Sequence, residues 1–281
     1  MERQSTVTQP RTKGPKRRLA ASPQNPKLRR ENIAARSMKT TGLGQIHLIN
    51  LDRSTDRLAA FHKRNAHLSD VVRFSAVDGQ LLDKEKLINE GVITHDCRYT
   101  TGNLGSAMSH IALWKLAVHE QRAITIAEDD AIFSYHFPAR STELLAGLSE
   151  GWDIVMWGFN FGTFVWVDLL PRIATAKIEL QPDQSLQNID HFQDVEINPT
   201  LMRLRHLFGT PCYSVTPKGA RAMLDFCLPL SAVLIDFPGF GVRIWNDDLD
   251  SIMNGAYPSL NAFVCMPPLV VVEGVTAGSV K

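Results

Sequence analysis

The stretch that decides the fold is residues 123–131, which read Ala-Ile-Thr-Ile-Ala-Glu-Asp-Asp-Ala. Its apolar, β-prone first half predicts a strand, and three carboxylates, Glu128, Asp129 and Asp130, follow at the C-terminal end. Open α/β sheets bind ligands just beyond the carboxyl ends of their strands, and Mg²⁺ and Mn²⁺ prefer oxygen ligands. The stretch therefore predicts a divalent cation held against a phosphorylated ligand. An acidic junction that only caps the next segment or faces solvent is the alternative.

A second strand is predicted upstream in residues 44–58, where Ile-His-Leu-Ile-Asn runs into a turn and then a helix. Asn50 and Asp52 lie at the predicted C-terminal end of this strand. Arg53 and Arg57 follow, and their guanidinium groups are available to phosphate. The alternative is that Asp52 only caps the helix and that both arginines are solvated.

Two more segments carry candidate ligand-binding residues. A short strand ends in the turn signal Asp78-Gly79, and Asp78 could accept hydrogen bonds from a base or a ribose, although the turn alone explains it. Residues 101–115 then open a helix with apolar residues at helical spacing. In that helix His110 could bond to a diphosphate or hold a carboxylate in place, and a satisfied structural histidine is the alternative.

The order of these motifs resembles glycosyltransferase family 25, which includes bacterial lipooligosaccharide galactosyltransferases and collagen galactosyltransferase domains. The motifs are Ile-Asn-Leu-Asp-Arg-Ser-x-Asp-Arg (49–57), Ala-Val-Asp-Gly (76–79), Leu-Gly-x-Ala-x-Ser-His-x-x-Leu-Trp (104–114) and Ile-Ala-Glu-Asp-Asp-Ala (126–131), continued by Gly-Thr-Pro-Cys-Tyr-Ser (209–214). The resemblance spans roughly residues 44–272. Ser106 and Cys212 depart from the residues that many members have there, but neither departure removes a carboxylate.

The resemblance implies a GT-A-type α/β fold, with a Rossmann-like mixed sheet flanked by helices, and a nucleotide-sugar donor used with Mn²⁺ or Mg²⁺. Glu128 and Asp130 are the implied metal ligands. Galactose from UDP-galactose is the family's inference, since nothing in the residues separates galactose from glucose. The residues that we expect to bind the nucleotide-sugar are Asn50, Asp52, Arg53, Arg57, Asp78, Gly79, Ser109, His110 and Asp129.

An inverting transfer also needs a general base, because the attacking acceptor hydroxyl must lose its proton. Two candidates lie in the last third of the chain. Asp236 follows the apolar run 231–235, and Asp248 belongs to the acidic segment 246–250 at a predicted helix start. The alternative for that segment is ordinary compensation of the helix dipole.

Between residues 159 and 208 the hydrophobic pattern loosens after a group of aromatic residues, Phe159, Phe161, Phe164 and Trp166. Such rings either belong to the core or form a wall or lid for a sugar acceptor, since sugar faces stack on aromatic rings.

Charge divides the chain in two. Residues 1–40 carry eleven Lys or Arg and two acidic residues, which predicts a disordered basic tail before a GT-A-like domain over residues 41–281. The tail could contact an anionic membrane surface, where lipid-linked acceptors reside, or nucleic acid nonspecifically, or it is a solvated extension. No specific nucleic acid partner is expected.

The sequence shows no signal-peptide pattern and no apolar run of membrane-spanning length. Four cysteines without zinc-type spacing fit reduced thiols, which favours the cytoplasm, with peripheral contact at the inner membrane surface.

The function predicted from the sequence is metal-dependent, inverting transfer of a hexose to a cell-envelope glycan such as lipooligosaccharide. The alternatives are a hydrolase or a transferase with another donor, a catalytically weak nucleotide- or glycan-binding module, and a nucleic-acid-associated protein recruited by its basic tail.

Overall fold

The structure, a computed structural model, describes residues 43, 45–149, 151–161, 163–180 and 188–272, without the side chain of residue 190. The predicted tail, residues 1–40, lies outside them, so its disorder and the domain boundary stay predictions. The strands are β1 (Ile46–Asn50), β2 (Val71–Ser75), β3 (Ile124–Glu128), β4 (Ala131–Phe133), β5 (Ile154–Met156), β6 (Phe164–Leu170), β7 (Ala174–Glu179), β8 (Thr200–His206), β9 (Cys212–Val215), β10 (Leu234–Phe237), β11 (Val242–Trp245), β12 (Ala262–Met266) and β13 (Val270–Val272).

The α-helices are α1 (Thr55–Arg64), α2 (Lys84–Asn89), α3 (Thr101–Glu120), α4 (Phe137–Ala146), α5 (Pro217–Cys227) and α6 (Leu249–Ala256). Short 3-10 helices cover Gly79–Leu81, Ile189–Asp194 and Tyr257–Ser259. Among the described residues, no helix combines the length and the apolar character that a membrane span needs.

A mixed sheet of nine strands forms the centre of the described part, in the order β2-β1-β3-β9-β5-β12-β8-β6-β7. β1 runs parallel to β2 and to β3, so that Asn50 lies opposite Ser75 and Ile49 lies opposite Glu128. β9 then enters antiparallel between β3 and β5. Because β1, β2 and β3 are parallel, their carboxyl ends meet at one edge of the sheet, and the polar residues that follow them are brought together.

Helices cover both faces of this sheet. Successive side chains of a strand point to opposite faces, and so Leu48 packs with Phe137 of α4, whereas Ile49 packs on the other side with Trp114 of α3 and Met223 of α5. These side chains are buried, and each contributes on the order of 1.5–3 kcal/mol of hydrophobic stabilisation. The predicted α/β fold, with a Rossmann-like mixed sheet flanked by helices, is confirmed.

The segment with the loose sequence pattern extends the sheet by three antiparallel strands, with β7 at the outer edge. Phe159 is buried in the core. Phe164 and Trp166 are only half-buried, and the ring of Phe164 stacks on that of Phe240, with 3.6 Å between centroids. The core interpretation therefore holds for Phe159, and the acceptor wall stays a prediction for Phe164 and Trp166.

Candidate active site

The acidic triplet lies where the main sheet ends and the chain turns away. Glu128 is the last residue of β3, and Asp129 and Asp130 form the turn into β4. β4 leaves the main sheet and pairs with β13 instead. The three carboxylates therefore stand at the carboxyl edge of the sheet, next to the end of β1.

Asp129 is held in place by residues of β1 and α1. Its Oδ2 accepts a hydrogen bond from Asn50 Nδ2 at 2.7 Å, and its Oδ1 accepts one from Arg57 Nε at 2.8 Å. A second nitrogen of Arg57 lies 3.5 Å from Asp130 Oδ2. The turn is thus fixed to the end of β1 by an Asn-Asp-Arg group, which unites three of the residues expected to bind the donor.

The remaining charged residues near the end of β1 form ion pairs with one another. Asp52 pairs with Arg73 and accepts a hydrogen bond from Ser75 Oγ at 2.8 Å, and these bonds lower the pKa of the Asp52 carboxyl. Arg53 pairs with Asp78. Arg53 and Arg57, the two arginines expected to bind phosphate, are therefore both paired with carboxylates, and a phosphate group would have to displace or share those partners.

Packing accounts for Gly79 and Ser109 without a ligand. A Cβ on Gly79 would collide with the carbonyl of Thr101, and one on Gly105 would collide with the backbone of Gly79, so helix α3 lies directly against this turn. Ser109 is fully buried, donates to the Gly105 carbonyl at 2.8 Å and accepts from Val77 N at 2.8 Å. A binding role for Gly79 and Ser109 stays a prediction.

A buried chain of hydrogen bonds orients His110 toward Glu128. Trp114 Nε1 donates to the Tyr213 hydroxyl at 2.8 Å, and the same hydroxyl lies 2.9 Å from His110 Nδ1. A tyrosine hydroxyl has one proton to donate. His110 Nδ1 is the acceptor within reach of that proton, so we assign the proton to this bond. A ring nitrogen that accepts carries no hydrogen, which places the ring hydrogen on Nε2. That nitrogen lies 3.4 Å from Glu128 Oε1, just beyond ordinary hydrogen-bond distance.

Glu128 is held ionised at the centre of these contacts. Its Oε1 also accepts a hydrogen bond from Thr210 Oγ1 at 2.7 Å. Burial opposes the charged form, but interaction with His110 and the bond from Thr210 outweigh it and hold the pKa of Glu128 below its ordinary value. The contacts with His110 and Thr210 both use Oε1, which leaves Oε2 for a ligand.

Asp250 belongs to the acidic segment 246–250, in which Asp248 is the predicted base. The Oδ2 of Asp250 accepts a hydrogen bond from Gly209 N at 2.6 Å, in the turn that places Thr210 against Glu128. Gly209 has a φ of 90°, which favours glycine, and a Cβ there would collide with Asn160. Burial, followed by the neighbouring Asp248 carboxylate, raises the pKa of Asp250 well above its ordinary value, and the charge of Glu128 adds to the effect.

Asp130 also has an oxygen without a partner. Its side chain is 39% exposed, but Oδ1 itself is buried and makes no hydrogen bond within the described residues. Burial, followed by the charge of Glu128, raises the pKa of Asp130 to about 6. In the described part of the chain, no three His, Cys, Asp or Glu side chains are grouped so that they could hold a metal ion by themselves.

Three buried polar atoms of residues that interact with Glu128 make no hydrogen bond within the described residues: His110 Nε2, Asp130 Oδ1 and Asp250 Oδ1. His110 is within 3.4 Å of Glu128, and both aspartates experience its charge. Buried polar atoms in folded proteins normally have hydrogen-bond partners, and a buried polar atom without one needs an explanation. The chemistry of this set, in which carboxylates predominate, suits a cation or the hydroxyl groups of a ligand.

Asp236 does not join this cluster. It lies on β10, which forms a separate two-stranded sheet with β11, and its side chain is 71% exposed and paired with Arg243 at 2.9 Å. The apolar run before it is a half-buried strand, because Ile235 and Phe237 are buried whereas Asp236 between them faces solvent. Asp248 lies closer, but its carboxylate caps α6 by accepting a hydrogen bond from Ser251 N at 3.0 Å.

The chain of hydrogen bonds behind His110 yields a stability prediction. Replacing Tyr213 with Phe leaves Trp114 Nε1 and His110 Nδ1 buried without their partner, and each such group costs about 1–3 kcal/mol. We expect the free energy of unfolding to fall by about 2–4 kcal/mol in urea titrations. Tyr135→Phe, at a half-exposed tyrosine, serves as control and should change it by less than about 0.5 kcal/mol. Equal effects of the two changes would contradict the assignment.

Comparisons with a family model and with curated proteins both point to one family. A family model described as "Glycosyltransferase family 25 (LPS biosynthesis protein)" matches residues 44–237. A "Glycosyltransferase 25 family member" from Anopheles gambiae is 32% identical over 128 residues, which are 41% of this chain and 22% of the relative. One from Aedes aegypti is 32% identical over 129 residues, 42% of this chain and 21% of the relative. The matched region thus spans about a fifth of the length of these curated relatives.

Among solved structures, a mannose-1-phosphate geranyltransferase from Thermus thermophilus aligns with a TM-score of 0.32 and 12% identity, over 82% of this chain and 73% of that one. A TM-score of this size does not establish a shared fold.

Proposed function

Because this chain belongs to glycosyltransferase family 25, as the resemblance of its motifs predicted, we propose that it transfers a hexose from a nucleotide-sugar donor to a glycan acceptor. The observation that carries the proposal is the group of unpartnered polar atoms around Glu128, at the carboxyl edge of the sheet. Open α/β sheets bind ligands at that edge. UDP-galactose is the donor that we propose, and a cell-envelope glycan such as lipooligosaccharide is the acceptor.

We propose Mn²⁺ or Mg²⁺ as the cofactor, with Asp130 and Glu128 as its protein ligands. The support is the unpartnered Asp130 Oδ1 and the uncommitted Oε2 of Glu128. Mg²⁺ commonly uses one or two carboxylates and completes its shell with water and substrate phosphates, so a group of three protein ligands is not required. When bound, the cation would neutralise charge that develops on the departing nucleotide.

The remaining residues of the site would orient the donor. Asn50 and Arg57 hold Asp129 at the turn, and Arg57 reaches toward Asp130. In the proposed complex, phosphate oxygens share the Arg57 guanidinium with these carboxylates, since a guanidinium offers five donors. His110 would not contact the donor in this arrangement; its interaction with Glu128 lowers the pKa of that carboxyl and so favours the ionised form.

For proton removal from the acceptor we propose Asp250 in place of Asp236 and Asp248. Of the three, Asp250 combines burial, a fixed position on Gly209 N and an oxygen without a hydrogen-bond donor among the described residues, and the charge of Glu128 acts on it. In an inverting transfer, the base would then be held by the Gly209-Thr210 turn, through the hydrogen bond from Gly209 N. A raised pKa makes the ionised carboxylate a stronger base toward the acceptor hydroxyl.

Calorimetric titration of the full chain with UDP, and separately with GDP, tests the donor class. We expect UDP to bind at least about tenfold more tightly with Mn²⁺ than with EDTA, and GDP to bind more weakly than UDP. Asp130→Asn should remove the effect of Mn²⁺ but keep weak UDP binding. If neither nucleotide binds, the donor proposal is wrong.

Product analysis separates the remaining functions. Binding of UDP-galactose without transfer to glycan acceptors would favour a binding module, and release of free galactose would favour a hydrolase.

We propose the cytoplasm as the compartment, which the free state of all four cysteines supports.

A further inference from the structure

The turn between β6 and β7 exposes aliphatic side chains at the outer edge of the sheet. We call residues 169–173 the hairpin tip; they read Leu-Leu-Pro-Arg-Ile, and all five are exposed. Leu169 and Leu170 are 53% and 52% exposed, and Ile173 is 82% exposed. Exposed apolar side chains that are grouped and rimmed by polar residues are typical of surfaces that contact a partner or a membrane, whereas single exposed ones need no explanation.

The backbone of the hairpin tip is held in a strained conformation. Ile173 N bonds to the Leu170 carbonyl at 2.9 Å, which closes the turn. Arg172 takes a φ of 65°, in the left-handed region that favours glycine or asparagine. It has no ion-pair partner among the described residues. A glycine would relieve this strain, so the arginine is explained better by its charge than by the turn.

Behind the tip, cationic side chains surround an aromatic ring. Trp166 and Lys177 face each other across the two strands. Trp166 lies three residues and Lys177 four residues from the tip, which is roughly 10–13 Å along a strand. The Lys177 ammonium lies 5.9 Å and the Arg205 guanidinium 5.5 Å from the centroid of the Trp166 ring. Tryptophan is enriched at the boundary between a bilayer and water, and basic residues are enriched next to it.

From this arrangement we infer that the hairpin tip docks onto an anionic bilayer, with its three aliphatic side chains among the lipid chains and Arg172 at the phosphate level. No acidic residue belongs to the tip, and Asp168, the acidic residue next to it, is paired with Arg205. With Arg205 paired to Asp168, Arg172 and Lys177 are the basic residues that supply positive charge here, and Lys177 lies roughly 13 Å behind the tip.

A bilayer is favoured over a protein partner because the exposed tip is a narrow turn. A stable protein contact buries roughly 800 Å² on each side, far more than a five-residue turn offers. Aliphatic side chains can enter an interface of lipids without a complementary surface. The inference extends the proposed acceptor class to lipid-linked glycans, but vesicle binding is measured without nucleotide or sugar, so its failure would be distinct from failure of the proposed transfer.

Flotation of the full chain with vesicles tests the inference. We would compare phosphatidylcholine alone with phosphatidylcholine containing about a third phosphatidylglycerol, at low salt and at about 0.5 M salt. High salt suppresses the attraction of the basic residues 1–40, whereas aliphatic insertion persists. The double variant Leu170→Ser/Ile173→Ser should bind anionic vesicles about tenfold more weakly at high salt.

Two further variants keep the result interpretable. Leu81→Ser removes a leucine that is 84% exposed outside the hairpin, and its binding should equal that of the wild type. Arg172→Gly should melt at or above the wild-type temperature and bind anionic vesicles several-fold more weakly at low salt. Wild-type binding that high salt abolishes, or that the double variant leaves unchanged, would overturn the inference. Capture of a protein by the tip, without vesicle binding, would also overturn it.

Discussion

Asp130→Asn is expected to lower kcat/KM for sugar transfer by at least about a hundredfold while the protein stays folded. The substitution keeps the shape of the side chain but removes the charge of the oxygen that has no partner in the described structure. In the proposed reaction, that charge faces the cation and the donor phosphates. Removal of one electrostatic group at a reacting centre commonly costs a factor of 10²–10³. Initial rates with UDP-galactose and added Mn²⁺ would measure the loss.

The same variant should be at least as stable as the wild type in the presence of EDTA. Folding raises the pKa of Asp130 from 3.8 to about 6. Below about pH 4 the carboxyl is protonated in both the folded and the unfolded state and does not affect stability, whereas above about pH 6 the folded state disfavours its charge. Wild-type stability therefore rises as the pH falls from 6 toward 4, and Asn removes that dependence. Near pH 7 the gain for the variant is about 1 kcal/mol, after a discount for the exposed part of the side chain.

Asp225→Asn is the matched control, because Asp225 is an exposed carboxylate of α5 away from the triplet. Its kcat/KM should stay within about twofold of the wild type. If Asp130→Asn is as active as this control, Asp130 plays no part in transfer. If it is inactive and also unstable in EDTA, the loss belongs to the fold.

The sequence predicts those parts of the fold whose hydrophobic pattern is local. β1, β3 and α3 combine a clear period with a marked end, and all three are found where the pattern puts them. The strands β6 to β8 are harder to predict, because β6 and β7 are half-exposed and because β8 pairs with β6 and β12, which lie far from it in sequence. The hairpin of β10 and β11 shows the same limit. An apolar run before Asp236 looks like a buried strand until the partner strand is known.

The candidate site follows the same division. Local pattern identifies Glu128 and Asp130, since they directly follow a buried strand. It does not show what Tyr213 does for His110, because the two residues lie about a hundred positions apart and meet only in the folded sheet. Nor does it separate Asp248 from Asp250. Both residues open the same helix, but one carboxylate caps it and the other turns inward to Gly209.

Asp250→Asn should lower kcat by at least about a hundredfold, which is the lower range for loss of a general base. The fold should survive, because the Asn side-chain oxygen can still accept the hydrogen bond from Gly209 N. In addition, a neutral side chain avoids the cost of burying a charge, which is what raises the pKa of Asp250. Thermal melting should therefore show no loss of stability. Retention of wild-type kcat would show that the proton leaves by another route.

Asp248→Asn, two residues away, distinguishes the base from its neighbour. Asn caps a helix about as well as Asp does, so this variant should remain folded and lose no more than about tenfold in kcat. The Asp248 carboxylate is, after burial, the next cause of the raised pKa of Asp250. Its removal should lower that pKa, and since a base acts in its deprotonated form, the acidic limb of the kcat profile should move to lower pH. A larger loss in Asp248→Asn than in Asp250→Asn, with no shift of the limb, would return the role of base to Asp248.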